Sequence, residues 1–426
     1  MIILPGRSQG QDRGKVTHVT SASEFDVVIA GAGLVGAGFA LAVRGSGLRV
    51  ALLGPLSDPT DKPAGTSEKP AGTAADASAD GWDRRIYAIS PDSMRFLDTL
   101  GVWSQVDPAR VQACLAMEVA GDSRRGRIGF SAFEAGVPAL AYMTESRAIA
   151  QPMARLLRAS PELVLIAQAV SGCRQDDCGL WRVELADGKV LTARLLVGAD
   201  GGESAVRHAA GLSTRAFDYQ QQALVANYAT EQPHGAVAFQ WFRSPDVLAY
   251  LPLPGERISV VWSLPAERAG ELVGLPAVEV ARQVAEAGER RLGRLTPLGE
   301  VSAFPLQILR VPAIVGQRLA LIGDAAHIVH PLAGMGVNLG FRDARALAGA
   351  IHTREIFRDC GDPRVLSRYA RVRSEDILSV QTFTHAMQRL FALSWVPAAA
   401  LRNAGLNLVD RLPVVKEQLM HRALAA

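Results

Sequence analysis

Lysine is almost missing from this chain. Lys15, Lys62, Lys69, Lys189 and Lys416 are its only lysines among 45 basic residues, so arginine carries nearly all the positive charge. Against 42 acidic residues the net charge is only +3, which argues against a nucleic-acid binder that works through bulk electrostatics. Cysteine is scarce as well, with Cys114, Cys173, Cys178 and Cys360 scattered along the chain. Cys173 and Cys178 could pair across a hairpin, but no second ligand pair completes a zinc site. Free thiols in a reducing cytoplasm are the expectation, with no metal site. No run of about 18 uninterrupted apolar residues occurs, so no transmembrane helix is expected. Met1 to Leu4 is too short an apolar run for a secretory signal. A cytoplasmic protein, at most peripheral to the inner membrane, is the resulting expectation.

What is present suits a large globular core. The chain has 426 residues, of which 49% are hydrophobic, and that length predicts two closely associated domains. Residues 1–23 are polar and without period, which predicts a disordered tail. From 57 to 81 runs a Pro/Gly/Ala/Thr/Asp-rich tract in which Pro-Ala-Gly-Thr occurs twice (Pro63–Thr66 and Pro70–Thr73). It can bury almost nothing and is expected to be a mobile loop. Ser90–Gly101 predicts a helix, with Met94, Leu97 and Leu100 at helical spacing, Pro91 near its start and Gly101 closing it. Ala148–Leu157 and Val278–Leu292 predict further helices, and Leu191–Val197 and Arg318–Ile322 predict buried strands. Between them Leu224–Ala229, Ala236–Phe242, Val247–Leu253 and Ile258–Leu264 predict an antiparallel sheet. From Asn338 onward the pattern is helical.

Two glycine-rich segments carry the chemistry. The buried-strand pattern Asp26–Ala30 leads into Gly31-Ala32-Gly33-Leu34-Val35-Gly36, and helix follows. In that context Gly31 permits a tight turn, Gly33 lets a pyrophosphate approach the backbone and Gly36 lets the helix pack on the strand. The helix N-terminus offers N–H groups to the phosphates. The second strand, Arg49–Leu53, ends on Gly54 instead of the Asp or Glu that would hold an adenosine ribose. Downstream, Gly323-Asp324-Ala325-Ala326-His327 follows a strand, placing a carboxylate where ribityl hydroxyls can donate to it. Gly334-Met335-Gly336-Val337-Asn338 then opens a helix, whose N–H groups suit the flavin edge that gains negative charge on reduction. Two such devices on one chain point to FAD.

The chain resembles the aromatic-ring flavoprotein monooxygenases of the p-hydroxybenzoate hydroxylase fold, and within them the ubiquinone-biosynthesis hydroxylases of the UbiH/UbiF type. The resemblance runs from about Phe25 to the C-terminus. It rests on Gly198-Ala-Asp-Gly201 with Ser204 and Arg207, and on Gly323 to His327 continuing through His330-Pro331 to Asp343. Further support comes from Asp83-Arg84-Arg85, Trp241-Phe242, Leu251-Pro252-Leu253, Val261-Trp262-Ser263, Phe304-Pro305-Leu306 and Leu401 to Leu406.

The resemblance implies an α/β fold: a Rossmann-like FAD-binding domain of the glutathione-reductase type, interrupted by an antiparallel-sheet substrate domain and followed by a C-terminal helical region. The FAD-binding parts are expected over 24–115, 140–212 and 300–345, the substrate parts over 116–139 and 213–299, and the helical region over 346–426. Arg85, Arg147 and Asp200 are then expected to join Gly31–Gly36, Asp324 and Gly334–Asn338 around FAD. Trp241, Tyr250, Trp262 and Pro331 are expected near the substrate ring, with His327 and His330 as weak acid–base candidates.

The implied reaction is hydroxylation of a polyprenylated phenol or quinol through a flavin C4a-hydroperoxide. It takes O2 and electrons from NAD(P)H or a protein donor. The apolar, arginine-bearing stretch from Phe383 to Ala426 suits a membrane-surface contact, and association with other ubiquinone-biosynthesis enzymes fits the same reading. A soluble phenol as substrate, or a mainly structural flavoprotein subunit, are the alternatives. The structural reading stays open because Gly54 stands where the ribose acid belongs.

Overall fold

A computed structural model describes residues 23–56, 82–121, 126–329 and 335–392. The expected tail up to residue 22, the 57–81 tract, His330, Pro331, Gly334 and the chain beyond Ala392 lie outside the described residues, as does the side chain of Met335. In chain order, β1 (Ser23–Ala30), α1 (Leu34–Ala42) and β2 (Val50–Leu53) come first. They are followed by β3 (Ile86–Ile89), α2 (Pro91–Thr99), β4 (Val111–Cys114), β5 (Ala116–Ala120) and β6 (Arg127–Ser131). Next are β7 (Ala141–Glu145), α3 (Ser146–Arg158), β8 (Leu163–Ile166), β9 (Val170–Gln175), β10 (Trp181–Leu185), β11 (Val190–Gly198) and α4 (Ala205–Ala209). The long β12 (Arg215–Thr230) opens a meander with β13 (Val237–Arg243), β14 (Asp246–Leu253) and β15 (Arg257–Pro265). Then come α5 (Ala266–Val273), α6 (Ala277–Ala287), β16 (Leu295–Pro297) and β17 (Ser302–Arg310). The chain continues through β18 (Val315–Gly316), β19 (Leu319–Leu321), β20 (His327–Ile328), α7 (Met335–His352) and α8 (Pro363–Ala392).

The first sheet runs β18-β19-β11-β1-β2-β8, and its β19, β11, β1, β2 and β8 are parallel neighbours. Val27, Val28, Ile29 and Ala30 of β1 are all fully buried, as a central strand covered on both faces requires. The second sheet runs β20-β17-β12-β15-β14-β13-β5-β6 and is mostly antiparallel. A third, small sheet, β3-β7-β4, lies between the two in sequence and pairs antiparallel throughout.

Local chemistry explains two of the element ends. Ser90 accepts a hydrogen bond from the Ser93 amide to cap α2, with Pro91 in the first turn. Helix α6 stops at Ala287, five residues short of the expected Leu292. A Cβ on Gly288 would stand 2.0 Å from the Tyr250 hydroxyl, so the helix ends on a residue that packing restricts to glycine. The expected boundary at 300 also shifts. Strands β17 and β20, inside the stretch expected to belong to the FAD-binding part, pair into the second sheet. They do so because β12 is long enough to carry β17 along nearly its whole length.

Candidate active site

The turn after β1 has the tightness its glycines imply. Gly31 has φ +107°, and a Cβ there would lie 2.2 Å from the Ala199 carbonyl oxygen. A Cβ on Gly36 would lie 2.0 Å from the Gly31 oxygen. Gly33 instead faces open space, and as N-cap of α1 it supplies no side chain to the first-turn amides. Its neighbours Ala32, Leu34 and Val35 are only partly buried. A helix start without a side-chain cap, beside open space, is suited to cradle an anion. Gly54 has a physical cause too. It has φ +118°, and a Cβ there would stand 3.1 Å from the Ala32 amide nitrogen, so an acidic side chain at this position would press on the cradle.

The second device sits against the first. The turn Gly323–Ala325 follows β19, and the Asp324 side chain emerges exposed. A Cβ on Gly340 of α7 would meet Val35 at 2.5 Å, so α1 and α7 touch at this point. Gly336 opens on free space in the first turn of α7, and Val337 is half-buried. Asn338 behaves differently from an outward-facing ligand. Its Oδ1 accepts from the Ser90 amide at 2.9 Å and its Nδ2 donates to the Ala88 carbonyl at 2.8 Å. The side chain thus staples the start of α7 to the β3–α2 junction.

The expected motif around Asp200 forms a clip. Asp200 Oδ2 accepts from the Val206 amide at 3.1 Å, and its buried Oδ1 has no hydrogen-bond partner among the described residues. Buried Arg207 donates to the Ala325 carbonyl at 3.0 Å, which ties this loop to the turn bearing Asp324.

His327 is a structural residue, which corrects its candidacy as acid or base. It is 1% exposed, and its Nε2 lies 2.6 Å from Asp343 Oδ2. The same oxygen accepts from the Gly323 amide at 2.9 Å, and Oδ1 accepts from Arg373 Nε at 2.7 Å. Burial opposes ionisation of Asp343, but His327 and Arg373 outweigh it and hold the carboxyl below its usual range. A histidine fixed this way cannot approach a substrate hydroxyl.

A third segment converges on Asp324. The Arg85 carbonyl accepts from the Ser146 amide at 2.9 Å, and Arg85 itself is exposed. Arg147 stands half-buried in the first turn of α3. Between these stretches lies Tyr87, a residue that sequence reading did not single out. Its hydroxyl bonds Ser146, and burial raises its pKa, with Arg85 opposing and Asp324 adding to the rise. Buried Glu145 anchors the segment by accepting the Asp83 amide at 2.7 Å and meeting Arg110 at 3.3 Å. Burial raises the Glu145 pKa, with the Asp83 amide, Arg110 and Arg147 opposing.

The three aromatics expected near the substrate ring lie on the face of the second sheet that α5 and α6 cover. Trp241, Tyr250 and Trp262 belong to a core shared with Ala269, Leu272, Val280 and Val284 of α5 and α6. Tyr250 donates to the Val284 carbonyl at 2.7 Å, and Trp262 bonds Asp246. Side chains alternate along a strand, so the face toward the small sheet carries their immediate neighbours. In register across it lie Ser302, Val225, Val261, Ala249 and Gln240. Val225, Val261 and Ala249 are half-buried, forming an apolar shelf with partly open surface. Next to them Leu251 packs with Trp82, Ile86 and Ala88, so this face meets the segment that carries Arg85 and Tyr87.

A βαβ phosphate cradle packed against a carboxylate turn and a second helix start defines a dinucleotide-binding oxidoreductase. Residues 24–384 match the family model described as FAD binding domain, and the chain belongs to that family of FAD-dependent monooxygenases. It is 32% identical over 426 residues to the ubiquinone hydroxylase UbiL of Rhodospirillum rubrum, covering 99% of this chain and 95% of the relative. To the 3-demethoxyubiquinol 3-hydroxylase of Escherichia coli it is 32% identical over 402 residues, covering 94% and 98%. To the mitochondrial ubiquinone biosynthesis monooxygenase COQ6 of Mus musculus it is 30% identical over 440 residues, covering 93% and 90%. Among solved structures, p-nitrophenol 4-monooxygenase PnpA of Pseudomonas putida superposes with TM-score 0.71 at 18% identity, covering 95% and 98% of the two chains. PqsL of Pseudomonas aeruginosa, a probable FAD-dependent monooxygenase, gives 0.70 at 21% identity, covering 90% and 99%. These two share the fold.

Proposed function

We propose that this monooxygenase hydroxylates the ring of a polyprenylated phenol or quinol on the ubiquinone route. The carrying observation is near-full-length similarity to hydroxylases whose names place them in that pathway. The shelf supports it. Val225, Val261 and Ala249, flanked by Ser302 and Gln240, offer an apolar, uncharged wall suited to a ring without a carboxylate.

The residues fit FAD. The open space at Gly33 and the uncapped start of α1 would take the diphosphate, and exposed Asp324 would accept from the ribityl hydroxyls. The start of α7 at Met335 and Gly336 would meet the isoalloxazine with backbone amides. Arg85, Arg147 and Tyr87 would border the same space. Bound FAD would supply the activation of O2, with electrons from NAD(P)H or a protein donor. The protein's own part is to orient the ring on the shelf and keep water from it. Among the described residues no helix is long and apolar enough to cross a membrane; a surface contact with lipid through the stretch from Phe383 to Ala426 is part of this proposal. Contact with other enzymes of the route belongs to the same reading.

The test is deletion of the gene, followed by identification of the quinone precursor that accumulates and complementation with Asp324→Ala. Accumulation of an under-hydroxylated polyprenyl phenol, rescued by wild type and not by the variant, is the expected result. Unchanged quinone in a strain with no second hydroxylase would sink the proposal.

A further inference from the structure

We infer that Arg373, on α8 and outside every flavin motif, is a positioning residue for the turn that carries Asp324. The inference rests on the reading of Asp324 as a flavin ligand. Its basis is one carboxylate. Asp343 is 0% exposed, and it accepts from the Gly323 amide, from His327 Nε2 and from Arg373 Nε. Gly323 immediately precedes Asp324 and His327 follows three residues later. Both ends of the turn are therefore held on a single oxygen of Asp343.

A carboxylate this deeply buried stays ionised only if opposing charge is close. Arg373 is 3% exposed and supplies that charge from α8. The arginine is itself fixed, because it also donates to the Leu339 carbonyl at 3.3 Å and pairs with Asp376. Asp376 in turn takes Arg342 of α7 at 2.7 Å. Without the guanidinium, Asp343 would gain a proton at a higher pH and weaken as acceptor for Gly323. The turn would then loosen, and a shift on the order of 1 Å is enough to spoil a ligand's alignment. The position of Asp324 thus depends on a helix far along the chain.

The test compares wild type with Arg373→Met and Arg373→Lys. The readouts are FAD dissociation constant against pH, the midpoint potential of the bound flavin, and the melting temperature of the apoprotein. For Arg373→Met we expect FAD affinity to fall about tenfold. The loss should be largest where the variant's Asp343 is protonated and the wild type's is not, should shrink at higher pH as the variant's carboxyl ionises, and should be accompanied by a shifted potential. Arg373→Lys should recover most of the affinity. Affinity and potential equal to wild type in a folded Arg373→Met protein would overturn the inference, leaving the arginine as a core ion pair only. Should Arg373→Met not fold, His327→Leu removes one donor from the same carboxylate. Unchanged FAD affinity and potential there would overturn the inference equally. Wild type that binds no FAD would instead sink the flavin reading on which this one stands.

Discussion

A Cβ on Gly54 would stand 3.1 Å from the amide nitrogen of Ala32. The end of β2 and the phosphate turn are so close that a side chain at position 54 would crowd the turn, and its φ of +118° would strain any residue but glycine. An acid introduced here to recover ribose binding should fail. Gly54→Glu is expected to lose about 1–3 kcal/mol of stability and to bind FAD more weakly than wild type. Denaturant titration and flavin fluorescence check both, and tighter FAD binding by the variant would contradict the crowding argument.

The two faces of the second sheet make opposite predictions. Ala249→Phe places a ring on the shelf. It should leave FAD affinity within about twofold while lowering turnover on the order of a hundredfold. Tyr250→Phe, one residue along, removes one of two donors to the Val284 carbonyl, which keeps the Gly288 amide. It should cost about 1 kcal/mol of stability with KM unchanged. A raised KM for the tyrosine variant, or normal turnover for the alanine variant, would show that the pocket faces the other way.

Asp246 gives the stability a pH signature. Burial pushes its pKa up to about 6 against the opposing effects of Arg268 and Trp262. Its neutral form is favoured in the folded state, so its contribution is full below the ordinary carboxylate range and is lost as pH rises through about 6. Asp246→Asn should therefore melt higher than wild type above pH 7, on the order of 2 °C, and match it below about pH 4. Equal melting temperatures at both ends would rule the group out as a determinant.

Asn338 offers a graded series. Asn338→Ala removes both links between α7 and the β3–α2 junction and should cost on the order of 2 kcal/mol, with weaker FAD binding. Asn338→Asp keeps the acceptor for Ser90 and loses the donor to Ala88, so it should fall between. An aspartate variant as impaired as the alanine variant would place the whole effect on the Ala88 bond.

The glycine turns and buried strands were legible because their causes are local. Gly31, Gly36 and the run Val27–Ala30 announce a tight turn after a central strand without any knowledge of the rest. The proposed substrate wall was not legible, because strand periodicity shows that residues alternate but not which set faces which neighbour. Trp241, Tyr250 and Trp262 drew attention by size and proved to be the core under α5 and α6. The shelf is made of Val225, Val261 and Ala249, residues with nothing conspicuous in their identity. The bonding of His327 and Asn338 was not legible for a related reason. Their partners, Asp343 with Arg373 and Ala88 with Ser90, sit on elements that only the folded chain brings near. Tyr87 carried no motif at all.

The distribution of the thiols has a use at the bench. All four cysteines are free; Cys114 and Cys360 are buried, with pKa values that burial pushes up to about 11 and about 12. Cys173 is half-buried and likewise raised to about 11, whereas Cys178 is exposed on the turn between β9 and β10. A thiolate is the reactive species, so a maleimide dye at neutral pH should mark Cys178 alone. The natural chain thus comes with one fluorophore attachment point on its first sheet, away from the shelf. Energy transfer from that dye to bound flavin could follow cofactor loading without a single engineered cysteine.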